Sequence, residues 1–167
     1  MQKITPHLWY IDNAVDAAEF YASIFPKSRV DRVTTLESDS PSGPAGSVEM
    51  VEFTLFGQPF MAISAGPLDA FNHSISFMVS CDNQKEIDRY WNALLEGGGS
   101  PEPCGWVKDK FGVSWQVAAT ELREMLADPD RARAKRASDA MMSMTKIDIA
   151  ALRAAYEGEP VGARAGH

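Results

Sequence analysis

The chain has 167 residues, of which 45% are hydrophobic and 23% charged, with a formal charge of −7. That length accommodates one domain or a tightly fused pair of half-domains. About two thirds of the unfolded surface can be buried at this size, so folding needs neither a disulfide nor a metal. The negative balance argues against nucleic acid or another polyanion, which requires clustered Lys and Arg, and leaves a small anionic ligand open. The N-terminus reads Met1-Gln2-Lys3-Ile4-Thr5-Pro6 and is not followed by the apolar run of a signal peptide. No stretch reaches membrane-spanning length. Two cysteines, Cys81 and Cys104, form neither a disulfide framework nor a C-x-x-C pair. A cytoplasmic protein is expected.

Residues 3–11 are rich in β-branched and aromatic side chains and predict a strand. Asp12 or Asn13 then caps a helix over 14–25, where Ala14, Ala17, Ala18, Tyr21, Ile24 and Phe25 recur at helical spacing. Residues 29–36 predict a second strand. Pro41, Gly43, Pro44 and Gly46 make 38–46 a loop, with the place and length of a flap or of an idle connector. Residues 48–56 and 59–64 predict a hairpin around Gly57-Gln58.

The pattern then restarts. Residues 74–80 predict a strand, and Asp82-Asn83 caps a helix over 84–96 with Ile87, Tyr90, Trp91, Leu94 and Leu95 inward. Gly97-Gly98-Gly99 stops it. Residues 101–108 and 114–118 predict short strands around a turn at 109–112. Asp12-Asn13 and Asp82-Asn83 occupy the same place in two halves, so the economical reading is a duplicated β-α-β-β-β unit. Three helices are predicted after it, over 121–128, 130–144 and 148–157, with Asp148 as an N-cap and Gly158 as a stop. The expected organisation is an α+β fold: a first module over 1–67, a second over 68–119, C-terminal helices over 120–158 and a flexible tail over 159–167.

Two such modules, each with a histidine near its start, resemble the vicinal oxygen chelate superfamily, which includes glyoxalase I, bleomycin-resistance proteins and extradiol dioxygenases. The segments Ile4-Thr5-Pro6-His7-Leu8-Trp9-Tyr10, Phe53-Thr54-Leu55-Phe56-Gly57-Gln58-Pro59-Phe60, Ile75-Ser76-Phe77-Met78-Val79 and Cys104-Gly105-Trp106 are similar to its PhnB-like branch. So are Ala17-Ala18-Glu19-Phe20-Tyr21, the run from Lys108 to Gln116, and Met144 to Leu152 in the helical appendix. The resemblance covers roughly residues 3–158. It implies curled mixed sheets around a concave pocket, a small-molecule ligand and a homodimer. Some relatives carry a demethylubiquinone methyltransferase label. No glycine-rich strand-turn-helix is present here to hold a methyl donor, because Gly97-Gly98-Gly99 follows a helix.

Metal-using members of the superfamily place imidazole, amide and carboxylate ligands on the concave strands, for Lewis-acid activation of paired oxygens. The resemblance puts the first ligand of each half seven residues before Asp12 and Asp82, at Thr5 and Ile75. His7 and His73 each lie two residues from those positions, in opposite directions and with the same parity. Two strand residues span about 6.6 Å, too far for a ligand bond of about 2 Å. The last strand offers Gln116 where a carboxylate is expected. A divalent metal on His7, His73 and Gln116 is thus the cofactor to test, and the register argues against it.

Trp9, Phe77, Trp106 and Trp115 fall on predicted strands and are either pocket walls or core filling, Trp9 and Phe77 sharing the concave parity. Cys104 precedes Gly105-Trp106; a reactive thiol there needs a base or cation such as Lys108, and a buried inert thiol is the alternative. Cys81 precedes a helix cap and has the same two readings. Glu49 and Glu52, oddly spaced, face opposite ways and form no dyad. Arg131, Arg133, Lys135 and Arg136 read as a solvated helix face. The expected function is a small-molecule pocket protein, either a lyase or oxygenase-like enzyme acting on vicinal oxygens or a non-catalytic binder. A dimer with its cavity filled by aromatic rings is the third reading.

Overall fold

The computed structural model describes residues 3–159. The described chain divides into two compact units, with the boundary between Ala70 and Phe71. In the first, the elements run β1 (His7–Tyr10), α1 (Ala14–Ile24), β2 (Arg29–Thr35), β3 (Glu49–Leu55) and β4 (Gln58–Ser64). In the second they run β5 (Phe77–Cys81), α2 (Gln84–Leu95), β6 (Ser100–Pro101), β7 (Trp106–Lys108) and β8 (Ser114–Ala119). A 3-10 turn, Pro103–Gly105, separates β6 from β7, where a single strand over 101–108 is expected. Three helices follow: α3 (Thr120–Leu126), α4 (Arg131–Met142) and α5 (Ile149–Glu157). Most of the expected tail, residues 160–167, lies outside the described residues.

Each unit is a β-α-β-β-β module with one four-stranded mixed sheet. The orders are β1-β4-β3-β2 and β5-β8-β7-β6, with the first strand parallel to the last and the other pairs antiparallel. The fold is therefore α+β, as the duplicated pattern implies.

In the first unit, α1 packs its small residues Ala14, Ala17 and Ala18 and the larger Tyr21 and Ile24 onto the sheet, all buried. Facing them are Leu8, Tyr10, Val51, Phe53, Phe60 and Ala62. The alanines let the helix axis approach closely, and stacked Phe53 and Phe60 rings, 5.4 Å apart, fill the space beneath. Each large side chain buried this way stabilises the fold by roughly 1.5–3 kcal/mol. Asn13 makes no side-chain cap; the first amide of α1, from Ala14, donates instead to Ser64 Oγ at 3.0 Å.

In the second unit, Phe77, Val79, Cys81, Val107, Trp115, Val117 and Ala119 form one face of the sheet, and Ile87, Tyr90, Trp91 and Leu94 of α2 cover it. Asn83 does cap α2, accepting from Glu86 N at 3.0 Å, while Glu86 reaches back to Asp82 N at 2.9 Å. That pair is a variant of the capping box in which the acidic side chain accepts from the residue before the N-cap.

The C-terminal helices pack on the second unit. Gln84 at the start of α2 donates to Ile147 O and accepts from Ile149 N. Lys146 pairs with Asp88 and Arg153 with Glu121. Asp148 caps α5 through Ala151 N, and Gly158, at φ 81°, ends it in the left-handed conformation that glycine adopts freely.

Candidate functional site

Strand alternation sorts each sheet into a helix-covered face and a face turned away from the helix. In the first unit the second face carries His7 and Trp9 on β1, with Met61 and Ile63 beside them on β4. His7 is exposed and Trp9 half-buried, its indole N–H donating to Gly66 O at 2.9 Å.

In the second unit the outcome differs from the expectation. His73 and Ile75 do not lie on a strand: β5 begins only at Phe77, His73 stands in a turn, and Ile75 is 73% exposed in a bend. Phe77 does not share the face of Trp9. It lies on the helix-covered face, its ring 5.3 Å from that of Trp115. The cause is a difference of one residue at the strand–helix junction. Three residues separate Tyr10 from α1, but two separate Cys81 from α2. Aligning the halves on Asp12 and Asp82 therefore slips the strand by one, and such a slip exchanges every side chain between faces. Tyr10 matches Cys81, not Ser80, since these two pair with Ser64 and Ala119 at the strand ends.

The face turned away from α2 thus carries Ser76, Met78 and Ser80 from the first strand and its approach, Gln116 and Ser114 from β8, and Trp106 and Lys108 from β7. The register places Trp106 opposite Gln116 and Lys108 opposite Ser114, and Met78 beside Gln116. Gln116 Nε2 donates to Ser76 Oγ at 2.8 Å. His73 reaches this face from its turn. Its Nε2 lies 2.7 Å from Glu102 Oε2, and its ring centroid lies 5.8 Å from that of Trp106. Lys108 Nζ lies 3.7 Å from the other oxygen of the same carboxylate. Ser114 Oγ is buried with no hydrogen-bond partner.

Of the sequence candidates, His73, Trp106 and Gln116 therefore gather on one patch, with Glu102, Ser76 and Ser114 as members that sequence reasoning missed and Lys108 as one it considered only for Cys104. The alternation of Phe77, Val79 and Cys81 with Ser76 and Ser80 was the signal that could have found the right face. Trp115 is not on this patch: it is 3% exposed and its indole donates to Asp109 Oδ2 at 2.8 Å. Cys104 is half-buried at φ 62°, and its Sγ lies 3.6 Å from Met142 Sδ. Lys108, the cation considered for it, stands instead 3.7 Å from a Glu102 carboxylate oxygen. Cys81 is buried, and desolvation, followed by the carboxylates of Glu86 and Asp82, pushes its thiol up to about 12. The cap beside it does not activate it.

A divalent metal does not fit these donors. The ligand positions implied by the superfamily carry a hydroxyl and an amide bonded to each other in the second unit, and the thioether Met61 stands on β4 of the first. The carboxylates on the two faces, Glu52 and Glu102, are ion-paired to Arg32 and to His73 and Lys108. Hard divalent ions favour sites built around carboxylate, and borderline ones favour imidazole, thiolate or carboxylate. Among the described residues no three His, Cys, Asp or Glu groups converge on a metal-sized site.

The loop over 38–46 walls a cleft of about 440 Å³ in the first unit, together with Ile11, Asp12, Glu49 and residues 64–66. The basic run on α4 is absorbed locally. Arg133 pairs with Glu157 and lies over the Tyr156 ring, Lys135 pairs with Asp139, and Arg136 donates to the carbonyls of Ala155 and Tyr156. Among the described residues no helix is long and apolar enough to cross a membrane.

A family model described as 3-demethylubiquinone-9 3-methyltransferase matches residues 2–118, ending just before α3. Among solved structures, the PhnB protein from Bacillus cereus is 32% identical with a TM-score of 0.60, over 71% of this chain and 99% of that one. Protein PA1353 from Pseudomonas aeruginosa is 24% identical with a TM-score of 0.54, over 71% of this chain and 98% of its own. The fosfomycin resistance protein FosX from Mesorhizobium loti is 16% identical with a TM-score of 0.53, over 77% and 100%. The last two likenesses show the fold alone. No curated protein matches the chain. The match to the family model and to its Bacillus cereus relative makes this chain a member of the 3-demethylubiquinone-9 3-methyltransferase-like, PhnB-like family of the vicinal oxygen chelate superfamily.

Proposed function

We propose that this protein binds a small organic molecule without a metal, on the face of the second sheet that carries Trp106, Gln116 and Ser76. The observation that carries the reading is the register of β5 and β8. It sets a neutral hydroxyl–amide pair at the ligand positions, so that face offers hydrogen bonds to a substrate rather than charge to a cation. Trp106 supplies an apolar wall beside them, the usual composition of a small-molecule site. Methyl transfer, suggested by the family's description, is not favoured: no described helix is entered from a strand through a glycine-rich turn, the feature that commonly cradles a nucleotide-like donor.

The protein acts as a homodimer in the cytoplasm on this reading. Strand β2 is a sheet edge exposed along nearly its whole length, which suits pairing with a second copy. Two cysteines outside any disulfide suit a reducing compartment. Light scattering at micromolar concentration tests the dimer, and a monomer there sinks it.

The binding reading is tested by thermal shift against a metabolite panel, with elemental analysis of protein purified without added metal. A ligand that stabilises the wild type and loses its effect in Trp106→Ala and Gln116→Ala is expected, since binding to the native state raises its stability. Stoichiometric divalent metal, lost in His7→Ala and His73→Ala, would overturn the reading in favour of a lyase or oxygenase-like enzyme acting on vicinal oxygens.

A further inference from the structure

The charged group at the rim of this patch is built asymmetrically. Glu102 is one-fifth exposed and holds its carboxylate against His73 at 2.7 Å, but reaches Lys108 only at 3.7 Å. The shorter contact is a hydrogen bond and the longer one is not. Lys108 therefore feels an opposite charge without giving up its ammonium donors. It is 40% exposed, enough for a ligand atom to reach. Across the strand pair from it stands Ser114, whose buried hydroxyl has no partner, a costly arrangement that proteins rarely leave in place. Next along the same face come Trp106 and Gln116, a flat ring and an amide. The Ser114 oxygen is itself fully buried and not within a ligand's reach, so the receptor for an anion on a flat body is the cation with open donors and the aromatic surface beside it. One lysine suits a single negative charge, and the carboxylate of Glu102 already lies beside it as an internal stand-in.

We infer that this face takes a flat, aromatic monocarboxylate, whose carboxylate is bound by Lys108 in competition with Glu102 and whose ring lies against Trp106. The inference rests on the binding reading above and names its ligand class. Glu102 sets a threshold: a neutral analogue gains nothing from Lys108, and an ammonium analogue meets Lys108 as a like charge. With Glu102 made neutral, Lys108 has no internal competitor and the carboxylate binds more tightly.

The test is titration calorimetry at low salt with three probes of one shape: 1-naphthoate, 1-naphthamide and 1-naphthylmethylammonium. Naphthoate is expected to bind about fivefold more tightly than naphthamide, the scale of one partly exposed ion pair. The preference is expected to vanish in Lys108→Met, which keeps the aliphatic stem, and to grow in Glu102→Gln. Trp106→Ala weakens both of these probes. If naphthamide binds as tightly as naphthoate and both depend on Trp106, the binding reading stands and the carboxylate inference fails. A preference for the ammonium probe, or a carboxylate preference that survives Lys108→Met, also overturns it. If no probe binds, the carboxylate inference fails, and the thermal-shift panel decides the binding reading separately.

Discussion

Removing the carboxylate of Asp109 is expected to destabilise the second unit more than any other single surface-turn change. Asp109 is 3% exposed and follows Lys108 directly. Its Oδ1 accepts from the amides of Phe111 and Val113, at 2.9 and 3.0 Å, and its Oδ2 accepts from the Trp115 indole at 2.8 Å. Hydrogen bonds to a charged group contribute roughly 1.5–3 kcal/mol each. The sum is reduced because the carboxylate itself is costly to bury, and because the Phe111 amide can turn to water. Asp109→Ala then costs about 4 kcal/mol, most of it from the Val113 amide and the buried indole left unpaired. Asp109→Asn keeps one acceptor for the two amides but turns an N–H toward the indole N–H, and costs about 2 kcal/mol on the same scale. For a chain of this length about 2–4 °C accompanies each kcal/mol, so Asp109→Ala should lower the melting temperature by roughly 8–16 °C. Urea denaturation followed by tryptophan fluorescence gives the free energies. A loss under about 1 kcal/mol in Asp109→Ala, or an Asn variant at least as damaging as the Ala variant, would refute the assignment of the carboxylate as the organiser of this turn.

Three further outcomes follow from the sulfur chemistry and the turn glycine. Cys81 should resist a thiol reagent at pH 8 in the native protein while Cys104 reacts, and denaturant should release the second thiol; two fast thiols in the native state would contradict the burial of Cys81. Its raised folded pKa also sets a sign. Below the ordinary value of 9.0 the thiol is neutral in both states and its contribution is fully present; between there and about 12 only the unfolded chain ionises, so stability falls with pH in that window. The fall should be shallower in Cys81→Ala, and identical slopes would reject the linkage. Gly105→Ala places a Cβ 2.9 Å from Val117 O and from Ile147 Cγ1, at φ 83°. It should cost about 2 kcal/mol or more and open the junction with α5 to proteolysis; a neutral effect in a melt would show that the junction yields freely.

The duplicated module, its element order and the caps of α2 and α5 were readable because they rest on local periodicity and turn chemistry, whereas the cap expected for α1 is not made by Asn13. Ala14, Ala17, Ala18, Tyr21 and Ile24 all fall on the buried face that their spacing requires. The site was less readable because it depends on parity, which is set by junction length rather than by the elements themselves. One residue fewer between Cys81 and α2 moved Phe77 to the covered face and put Ser76 where the halves, aligned on Asp12 and Asp82, had placed Ile75. Glu102 was hidden for another reason. It sits between β6 and the 3-10 turn, an irregular stretch without period, and meets His73 across 29 residues of sequence. Only the tertiary fold brings those two together.

The second unit concentrates its irregular backbone contacts along the segment that carries Trp106 and Lys108. Gly99 lies against Leu94 O and Lys108 O, close enough that a Cβ there would meet them at 2.7 and 3.0 Å. Cys104 and Gly105 donate their amides to Met144 O at 2.8 Å and Thr145 O at 2.7 Å, so the junction between α4 and α5 pairs with the turn just before Trp106. Glu102 N donates to Trp106 O at 2.8 Å, and Asp109 closes the far end. Cys104 holds a left-handed φ that a non-glycine residue tolerates only when its surroundings enforce it. Trp106 and Lys108 are thereby fixed from both sides, which is the support a binding face needs to meet its ligand without reordering. Hydrogen exchange tests this directly. The amides of Cys104 and Gly105, although they belong to a turn, should exchange as slowly as those of β7 and β8 and far more slowly than those of the loop over 38–46. Exchange of the Cys104 and Gly105 amides at the rate of that loop would mean that the helical appendix does not hold the turn, and that the face beside it is not preorganised.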